Sequence, residues 1–302
     1  MIFAAIDIGS NAARLLFANV YEKKGKINSE KATLVRIPIR LGLDVFNNQK
    51  ITDVRQEYLI DTLKAFQLLI KVYQPIDYTV CATAAIREAD NKDIILNNVK
   101  EQTGFSINVI DGIEEAKIIS KYNDVSHLLI HPRSIYIDVG GGSTEITLIE
   151  NSRFIRSGSF KIGTIRALHD SIEKDEWKRM KKWLKDIKKS DEPINCIGSG
   201  GNINKIVKLY GSKLEHNIDF TTLIDAYDHL RSYTVEQRMK KFGFRPDRAD
   251  VIVPAAKIYA KAMEWAGINN IIAPKIGLAD GLVADLYKHH KKNANALLGV
   301  DQ

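Results

Sequence analysis

The same short motif occurs twice in this chain, and the two copies restrict the folds that it can adopt. Ile6-Asp7-Ile8-Gly9-Ser10-Asn11 lies between two apolar runs, and so does Ile137-Asp138-Val139-Gly140-Gly141-Gly142. Two apolar runs joined by a turn of small residues indicate a β-hairpin. Asp7 and Asp138 lie about one domain length apart. The pattern therefore predicts a duplication, in which each half starts with a strand, an aspartate and a tight turn.

The 302 residues are enough for two domains of ordinary size. After the first hairpin, apolar strands alternate with amphipathic helices, which favours an α/β layer with parallel strand pairs. The stretch from Asn123 to Pro132 is polar and turn-like, and the second motif begins shortly after it. We therefore predict an N-terminal domain over residues 1–125 and a C-terminal domain over residues 126–302.

An aspartate at the end of a buried strand, followed by small residues, suits the binding of phosphate together with a metal ion. Mg²⁺ prefers oxygen ligands, so Asp7 and Asp138 are the predicted ligands of Mg²⁺ or Mn²⁺. Glycine and serine let backbone N–H groups approach phosphate oxygens closely. One such turn often only closes a hairpin, but two at matching positions favour a functional site. The predicted phosphate-binding residues of the turns are Ser10, Asn11, Gly140, Gly141, Gly142, Ser143 and Thr144.

A carboxylate pair follows Gly112 at the start of a predicted helix. Asp111 and Glu114 have the spacing of a capping box, which would use Glu114 structurally. Glu115 points about 100° away around the helix and is free to face a cleft. A solvated surface position for Glu115 is the alternative.

Two other segments carry candidate anion-binding groups. Arg87 follows an apolar strand and small residues, a setting that projects a guanidinium from a strand end, and a guanidinium binds phosphate in a bidentate manner. An ordinary surface ion pair is the alternative for this arginine. Gly198, Ser199 and Gly200 join a strand to a helix, so they form either an anion site or a plain tight turn.

The formal charge of +7 favours a polyanionic partner. Part of the excess of positive charge lies in Lys174 to Lys189. The lysines there form either a solvated helix face or a surface that binds a long polyanion. Cys81 and Cys196 lie in apolar runs and are interpreted as reduced core cysteines. The chain starts without a basic leader, and no apolar run approaches about 18 residues. We expect a cytoplasmic protein with no membrane or nucleic-acid partner, and a homodimer remains open.

The two aspartate motifs resemble the paired phosphate motifs of the actin, sugar-kinase and heat-shock ATPase superfamily. More narrowly, the chain resembles the exopolyphosphatase / guanosine-pentaphosphate phosphohydrolase family over nearly its whole length. The segments that carry this resemblance are Gly140 to Glu145, Ala82 to Arg87, Gly112 to Ala116 and Arg248 to Asp250. The resemblance implies an α/β fold of two ribonuclease H-like (actin-like ATPase) domains with an interdomain cleft.

The resemblance also implies residue roles. Glu115 would be the general base for the water that attacks a terminal phosphoryl group, with Mg²⁺ present, and Arg87 would contact the phosphate chain. Glu145 would be a second catalytic residue that positions the water or the metal, although a strand-edge surface role is an alternative. The implied substrates are inorganic polyphosphate and guanosine pentaphosphate. The chain has Ala279 where the family usually carries an arginine, which bears on chain-length preference.

Two other functions stay open at this stage. An ATP-dependent kinase could use the same fold, but it would need an adenine pocket and a base on the acceptor side. A non-catalytic sensor that binds polyphosphate or a guanosine alarmone would need only the binding residues. The Arg87 and Glu115 segments favour the hydrolase over both.

Overall fold

The computed structural model describes residues 1–23, 26–120, 133–151, 153–188 and 193–297. Within these ranges the strands form two mixed sheets. The first sheet holds β1 to β5, which are Ile2–Ile8, Ala13–Lys23, Lys26–Ile37, Asp77–Ala82 and Asn108–Val109. The second sheet holds β6 to β11, which are Arg133–Val139, Thr144–Glu150, Arg153–Phe160, Ile194–Ser199, Asn217–Asp219 and Asn270–Ile272.

Helices cover the faces of both sheets. Those in the first part of the chain are α1 to α5, which are Gly42–Asn48, Asp53–Tyr73, Ala84–Arg87, Lys92–Thr103 and Gly112–Ser120. The remaining helices among the described residues are α6 to α13, which are Thr164–Leu168, Lys174–Ile187, Gly201–Tyr210, Phe220–Arg231, Val235–Phe242, Pro246–Ala249, Ile252–Ala266 and Leu278–Leu297.

The two sheets share one strand order. The first runs β3-β2-β1-β4-β5, and the second runs β8-β7-β6-β9-β11 with β10 at its edge. In each, the three strands of the opening meander are antiparallel, and the first strand then pairs in parallel with the strand that follows a helical connection. The duplication predicted from the repeated motif is thus present in the sheet topology.

Strand β1 is buried on both faces. Ala4, Ile6 and Ile8 pack in one core cluster, whereas Phe3 and Ala5 belong to another. This second cluster includes residues of α13, which packs against β1, β2, β4 and α5. The last helix of the chain therefore lies on the first sheet. The predicted boundary between residues 125 and 126 lies outside the described residues and stays a prediction.

Helix α7 carries the lysine-rich segment. Its apolar side, formed by Met180, Leu184 and Ile187, is buried, and its lysines are exposed. This supports the solvated-face interpretation. Cys81 and Cys196 are both buried and free, as predicted. None of the described helices is both long and apolar enough to cross a membrane.

Candidate active site

Both halves begin with a hairpin whose turn is built in the same way. The Gly9 N–H donates to the Ala12 carbonyl at 3.1 Å, and the Gly140 N–H donates to the Ser143 carbonyl at 2.9 Å. Each of these glycines lies two residues after the aspartate of its motif. Asp7 therefore ends its strand in the same local geometry as its counterpart in the second half.

The residue opposite the aspartate differs between the hairpins. Asp7 pairs across the ladder with Arg14, whose Nη1 lies 2.7 Å from Asp7 Oδ2. Asp138 pairs across its ladder with Glu145. Directly opposite residues in an antiparallel pair are close enough to interact strongly. The first hairpin thus holds an ion pair, and the second holds two carboxyl groups.

A cleft of about 560 Å³ lies between the two hairpins. Both turns line it, so the repeated motifs are brought together as the sequence predicts. The predicted site residues in its walls are Asp7, Ser10, Asn11, Glu115, Asp138, Gly140, Gly141, Gly142, Ser143, Glu145, Ser199 and Gly200.

The glycine run of the second turn lets the two halves approach each other. A Cβ on Gly141 would lie 2.8 Å from the Cβ of Ser10, and a Cβ on Gly142 would lie 2.2 Å from the ring of Phe46. Gly200 is at φ +107°, a conformation that favours glycine, and it approaches Asp138 closely. Any larger residue at positions 141 or 142 would force the walls of the cleft apart.

Glu115 faces the cleft from the first turn of α5. Asp111 Oδ1 accepts hydrogen bonds from the N–H groups of Ile113 and Glu114, both at 2.8 Å, so it caps the helix. Glu114 is exposed, whereas Glu115 is half-buried and lines the cleft. The cap and the orientation of Glu115 agree with the sequence analysis. The reciprocal hydrogen bond of a capping box, from the Asp111 N–H to the Glu114 carboxylate, is absent between these two described residues.

The carboxyl group of Glu115 lies close to other acidic side chains. Burial raises its pKa well above the ordinary value, and the nearby charges of Glu145, Asp138 and Asp7 raise it further. Arg87 acts in the opposite direction. Glu115 therefore binds a proton more readily than an isolated glutamate does.

Glu145 and Asp138 have raised pKa values for the same reasons. Burial raises the pKa of Glu145 to about 7, with a contribution from Asp138, although hydrogen bonds from Ser143 and Ser159 oppose the rise. Burial and the charge of Asp7 raise the pKa of Asp138 to about 6. Glu145 is buried rather than on a strand edge, so the surface alternative for it was wrong.

Gly112 brings α5 against this carboxyl group. A Cβ at this position would lie 2.4 Å from Ser159 Oγ and 2.9 Å from Glu145 Oε1. The Ser159 hydroxyl donates to Glu145 Oε1 at 2.9 Å. The helix that carries Glu115 therefore packs directly on β7, which carries Glu145, and on β8, which carries Ser159.

Three predicted site residues lie outside the cleft walls. Arg87 is the last residue of the short helix α3, not the end of a strand, and it donates to the Ile110 carbonyl at 2.9 Å. The Thr144 hydroxyl donates to the carbonyl of Ile162. Gly198 lies within β9, where a Cβ would meet the side chain of Ile271 at 2.7 Å. The Thr144 hydroxyl is thus engaged by a backbone carbonyl, and close packing inside β9 accounts for Gly198. The turn after β9 begins only after Ser199, later than the sequence predicts.

Several cations in the cleft walls were not predicted as site residues, although Arg248 lies in a segment that carries the family resemblance. They are Arg14, Lys31, Arg36, Lys205, Lys208, Arg248 and Lys275. Burial lowers the pKa of Arg14, but the carboxylates of Asp7, Asp138 and Glu115 raise it above its ordinary value overall. Burial and the charge of Arg36 lower the pKa of Arg248. The hairpin register would have revealed Arg14, whereas the other cations come from segments that meet only in the fold.

The donor set fits a divalent cation bound together with phosphate. Among the described residues, no three His, Cys, Asp or Glu side chains form a complete metal cage. Mg²⁺ needs no such cage, since one or two carboxylates plus phosphate oxygens and water satisfy it. Asp138 and Asp7 repel each other across the cleft, and a cation between them would relieve this repulsion.

Most of the chain matches one known protein family. Residues 32–290 match the family described as Ppx/GppA phosphatase family. The chain belongs to this family. It is 24% identical to a guanosine-5'-triphosphate,3'-diphosphate pyrophosphatase of Photobacterium profundum, over 100% of this chain and 63% of that protein. It is 25% identical to a putative exopolyphosphatase of Haemophilus influenzae, over 95% of this chain and 91% of that protein.

Other curated relatives are longer, and the chain spans about half of their length, 44% of one and 58% of another. Among solved structures, the Ppx/GppA family member of Aquifex aeolicus is 27% identical, with a TM-score of 0.73 and coverage of 96% of this chain and 98% of that one. The predicted fold of two actin-like domains is confirmed by this likeness.

Proposed function

We propose that this chain hydrolyses the terminal phosphoanhydride bond of inorganic polyphosphate, of guanosine pentaphosphate, or of both. The observation that carries the proposal is the meeting of Glu115, Glu145 and Asp138 at the turns of a cleft whose walls also carry cations. Carboxyl groups suit the activation of water, and cations together with backbone N–H groups suit a polyanion. The names of the Photobacterium and Haemophilus relatives support the same substrates.

Glu115 is the proposed general base. It is half-buried and open to the cleft, whereas Glu145 is buried and held by Ser159. A carboxylate with a raised pKa is a stronger base once it is ionised. The water oxygen attacks the terminal phosphorus, its proton passes to Glu115, and the bond from phosphorus to the bridging oxygen breaks. The shortened chain leaves with that oxygen, and Glu145 orients Glu115 and the water.

The phosphate chain would be held by backbone and side-chain donors of both halves. The residues of the two turns line the cleft, and Lys205 and Arg248 line the wall near the turn after β9. Asp7 and Asp138 would hold Mg²⁺ or Mn²⁺. When it is bound, the ion neutralises charge on the phosphoryl oxygens. Arg14 offsets the carboxylates that remain.

The direct test is release of inorganic phosphate from polyphosphate and from guanosine pentaphosphate with Mg²⁺ present. Glu115→Gln should lower the rate about 10²- to 10⁴-fold, since it removes the base and keeps the shape. Glu114→Gln is the matched control, because Glu114 is adjacent and exposed, and it should retain the wild-type rate. Full activity of Glu115→Gln, or no release from either substrate, contradicts the proposal.

The same experiment separates the other two functions. Tight binding of polyphosphate with no phosphate release identifies a non-catalytic sensor. ATP-dependent phosphorylation of a small acceptor identifies a kinase. Only release that depends on Glu115 supports the hydrolase.

A further inference from the structure

A side chain from another element joins the ends of β6 and β9. These two parallel strands stay paired as far as Asp138 opposite Ser199, where their register ends. If the ladder continued, the Val139 N–H would donate to the Ser199 carbonyl. The hydroxyl of Tyr259, which belongs to α12, lies between these two groups instead. It accepts a hydrogen bond from the Val139 N–H at 3.3 Å and donates one to the Ser199 carbonyl.

The corresponding strands of the first half remain paired at this level. β1 and β4 continue one residue past Asp7, to Ile8 opposite Ala82. The Thr83 N–H then donates to the Ile8 carbonyl at 3.1 Å, which extends the ladder further. The two sheets share their strand order, so these positions can be compared directly. The inserted hydroxyl is therefore a difference between the two halves, and it lies directly after the aspartate of the second motif.

The insertion separates the two strands where the site residues begin. A direct hydrogen bond places the nitrogen and the carbonyl oxygen about 2.9 Å apart, whereas two hydrogen bonds through a hydroxyl oxygen hold them farther apart. Gly200 follows β9 at once, and a Cβ on this glycine would lie 3.3 Å from Asp138 Oδ1. The separation of the strand ends therefore sets the distance between the Asp138 carboxyl group and the turn after β9.

The surroundings of Tyr259 hold its hydroxyl in this place. The side chain is fully buried in the core of the second half. Burial and the charge of Asp138 raise the pKa of the phenol well above its ordinary value, so the group keeps its proton and remains a donor. A buried polar group without a hydrogen-bond partner is destabilising. The hydroxyl and the two backbone groups that it joins therefore stay together.

We propose that Tyr259 is a positioning residue, which holds β6 and β9 apart so that Asp138 and the turn at Gly200 can bind a divalent cation together with phosphate. This inference rests on the proposed hydrolysis and adds the residue that sets the geometry of its cation site. Tyr259 does not line the cleft, so it acts through the two strand ends and not on the substrate. Residues that orient the ligands of a metal in this way affect its affinity strongly.

The first test removes only the hydroxyl, in Tyr259→Phe, and keeps the ring that fills the core. The Val139 N–H and the Ser199 carbonyl then either bond to each other or lose their partner, and both results move Asp138 relative to the turn. The measurement is calorimetric titration of the protein with Mn²⁺ alone, in the absence of any phosphate chain. Tyr259→Phe should raise the dissociation constant for Mn²⁺ about 10-fold or more.

Tyr287→Phe is the matched control for this titration. Tyr287 is also buried, but its ring packs against Phe3 of the first sheet. This variant should bind Mn²⁺ as the wild type does. An unchanged dissociation constant in Tyr259→Phe overturns the proposal, as does a wild type that does not bind Mn²⁺.

The second test separates positioning from a general loss of folded protein. Phosphate release is measured over a range of Mg²⁺ concentrations for the wild type and for Tyr259→Phe. The Mg²⁺ concentration at half-maximal rate should rise about 10-fold in the variant, while the rate at saturating Mg²⁺ falls less. A lower maximal rate with an unchanged half-saturating concentration is the result of a smaller folded fraction, and it overturns the proposal. If the wild type releases no phosphate, the proposed hydrolysis fails, and the Mn²⁺ titration alone decides the role of Tyr259.

Discussion

In the first hairpin the residue opposite Asp7 is Arg14, whereas in the second hairpin the residue opposite Asp138 is Glu145. The two ladders have the same register relative to the turn, and the two turns are closed by equivalent hydrogen bonds. The backbone of the repeat is therefore retained while the charge at one position is reversed. The two hairpins therefore have different electrostatic roles. The first hairpin supplies a neutral pair, and the second supplies the carboxyl groups with raised pKa values.

Replacing Arg14 with an acidic residue should remove this difference between the two hairpins. Arg14→Glu would give the first hairpin the same acid pair as the second hairpin, and the cation that offsets Asp138 and Glu115 would be lost. We expect phosphate release to fall about 10³-fold, as expected for loss of a charge-stabilising group. Because Arg14 lowers the pKa of Asp138, the acid limb of the pH–rate profile should move to higher pH.

The measurement for Arg14→Glu is the initial rate on polyphosphate with Mg²⁺ across the pH range. Arg14→Gln serves as the comparison, since it removes the cation without adding a carboxylate, and its loss should be smaller. If the acid limb of the Arg14→Glu profile stays at the wild-type pH, Arg14 does not lower the pKa of Asp138.

Neutralising the second hairpin should shift the profile in the opposite direction. The carboxyl group with the largest effect on the pKa of Glu115 is Glu145, so Glu145→Gln should lower that pKa. The acid limb should therefore move to lower pH, while the rate at its maximum falls about 10²-fold because the water is less well positioned. In the wild type the rate should rise with pH through about 6 to 7, where Asp138 and Glu145 lose their protons.

The same rate assay checks Glu145→Gln, with Glu114→Gln as the control for an exposed carboxylate of similar sequence position. A shift to higher pH, or no shift, would contradict the coupling between Glu145 and Glu115.

The contact between α5 and the second hairpin should also affect the rate of phosphate release, but less than the changes at Arg14 and Glu145 do. Gly112→Ala adds a Cβ within 2.4 Å of Ser159 Oγ, which pushes the helix and Glu115 away from Glu145. A displacement of the base by a fraction of an ångström should lower phosphate release about 10-fold. Ile113→Ala is the control, since Ile113 is the next residue of α5 and its side chain is exposed, and it should retain the wild-type rate. An unchanged rate in Gly112→Ala would argue against a special role for the α5 contact.

The features that could be predicted from the sequence are those encoded locally. The turns at Asp7 and Asp138 recur as short strings, and the cap at Asp111 directs Glu115 into the cleft through helix geometry alone. Features that depend on distant segments were missed. The sequence does not reveal that α13 returns to the first sheet, or that Lys31 and Lys205 meet in one cleft. Arg14 is an intermediate case, because its partner across the ladder follows from the turn length once the hairpin is assumed.

The two hairpins should also differ in how they affect stability, which is the smallest of the expected effects. In the native state the pKa of Glu145 is raised to about 7, whereas an unfolded chain has the ordinary value of about 4.3. The native state therefore binds more protons between these values, and stability falls as pH rises through this window. Below about pH 4 the cost is absent, and above about pH 7 it is fully present.

Glu145→Gln should accordingly stabilise the fold at pH 8 by on the order of 1 to 3 kcal/mol and have little effect near pH 4. The amide oxygen can still accept the hydrogen bond from Ser159, so the change is confined mainly to charge. Asp7→Asn should do the opposite and destabilise the fold at pH 8, because it leaves Arg14 without its ion-pair partner. Urea unfolding of both variants at the two pH values measures these differences. Destabilisation by Glu145→Gln at pH 8 would show that the second hairpin, like the first, holds its charges in a favourable arrangement.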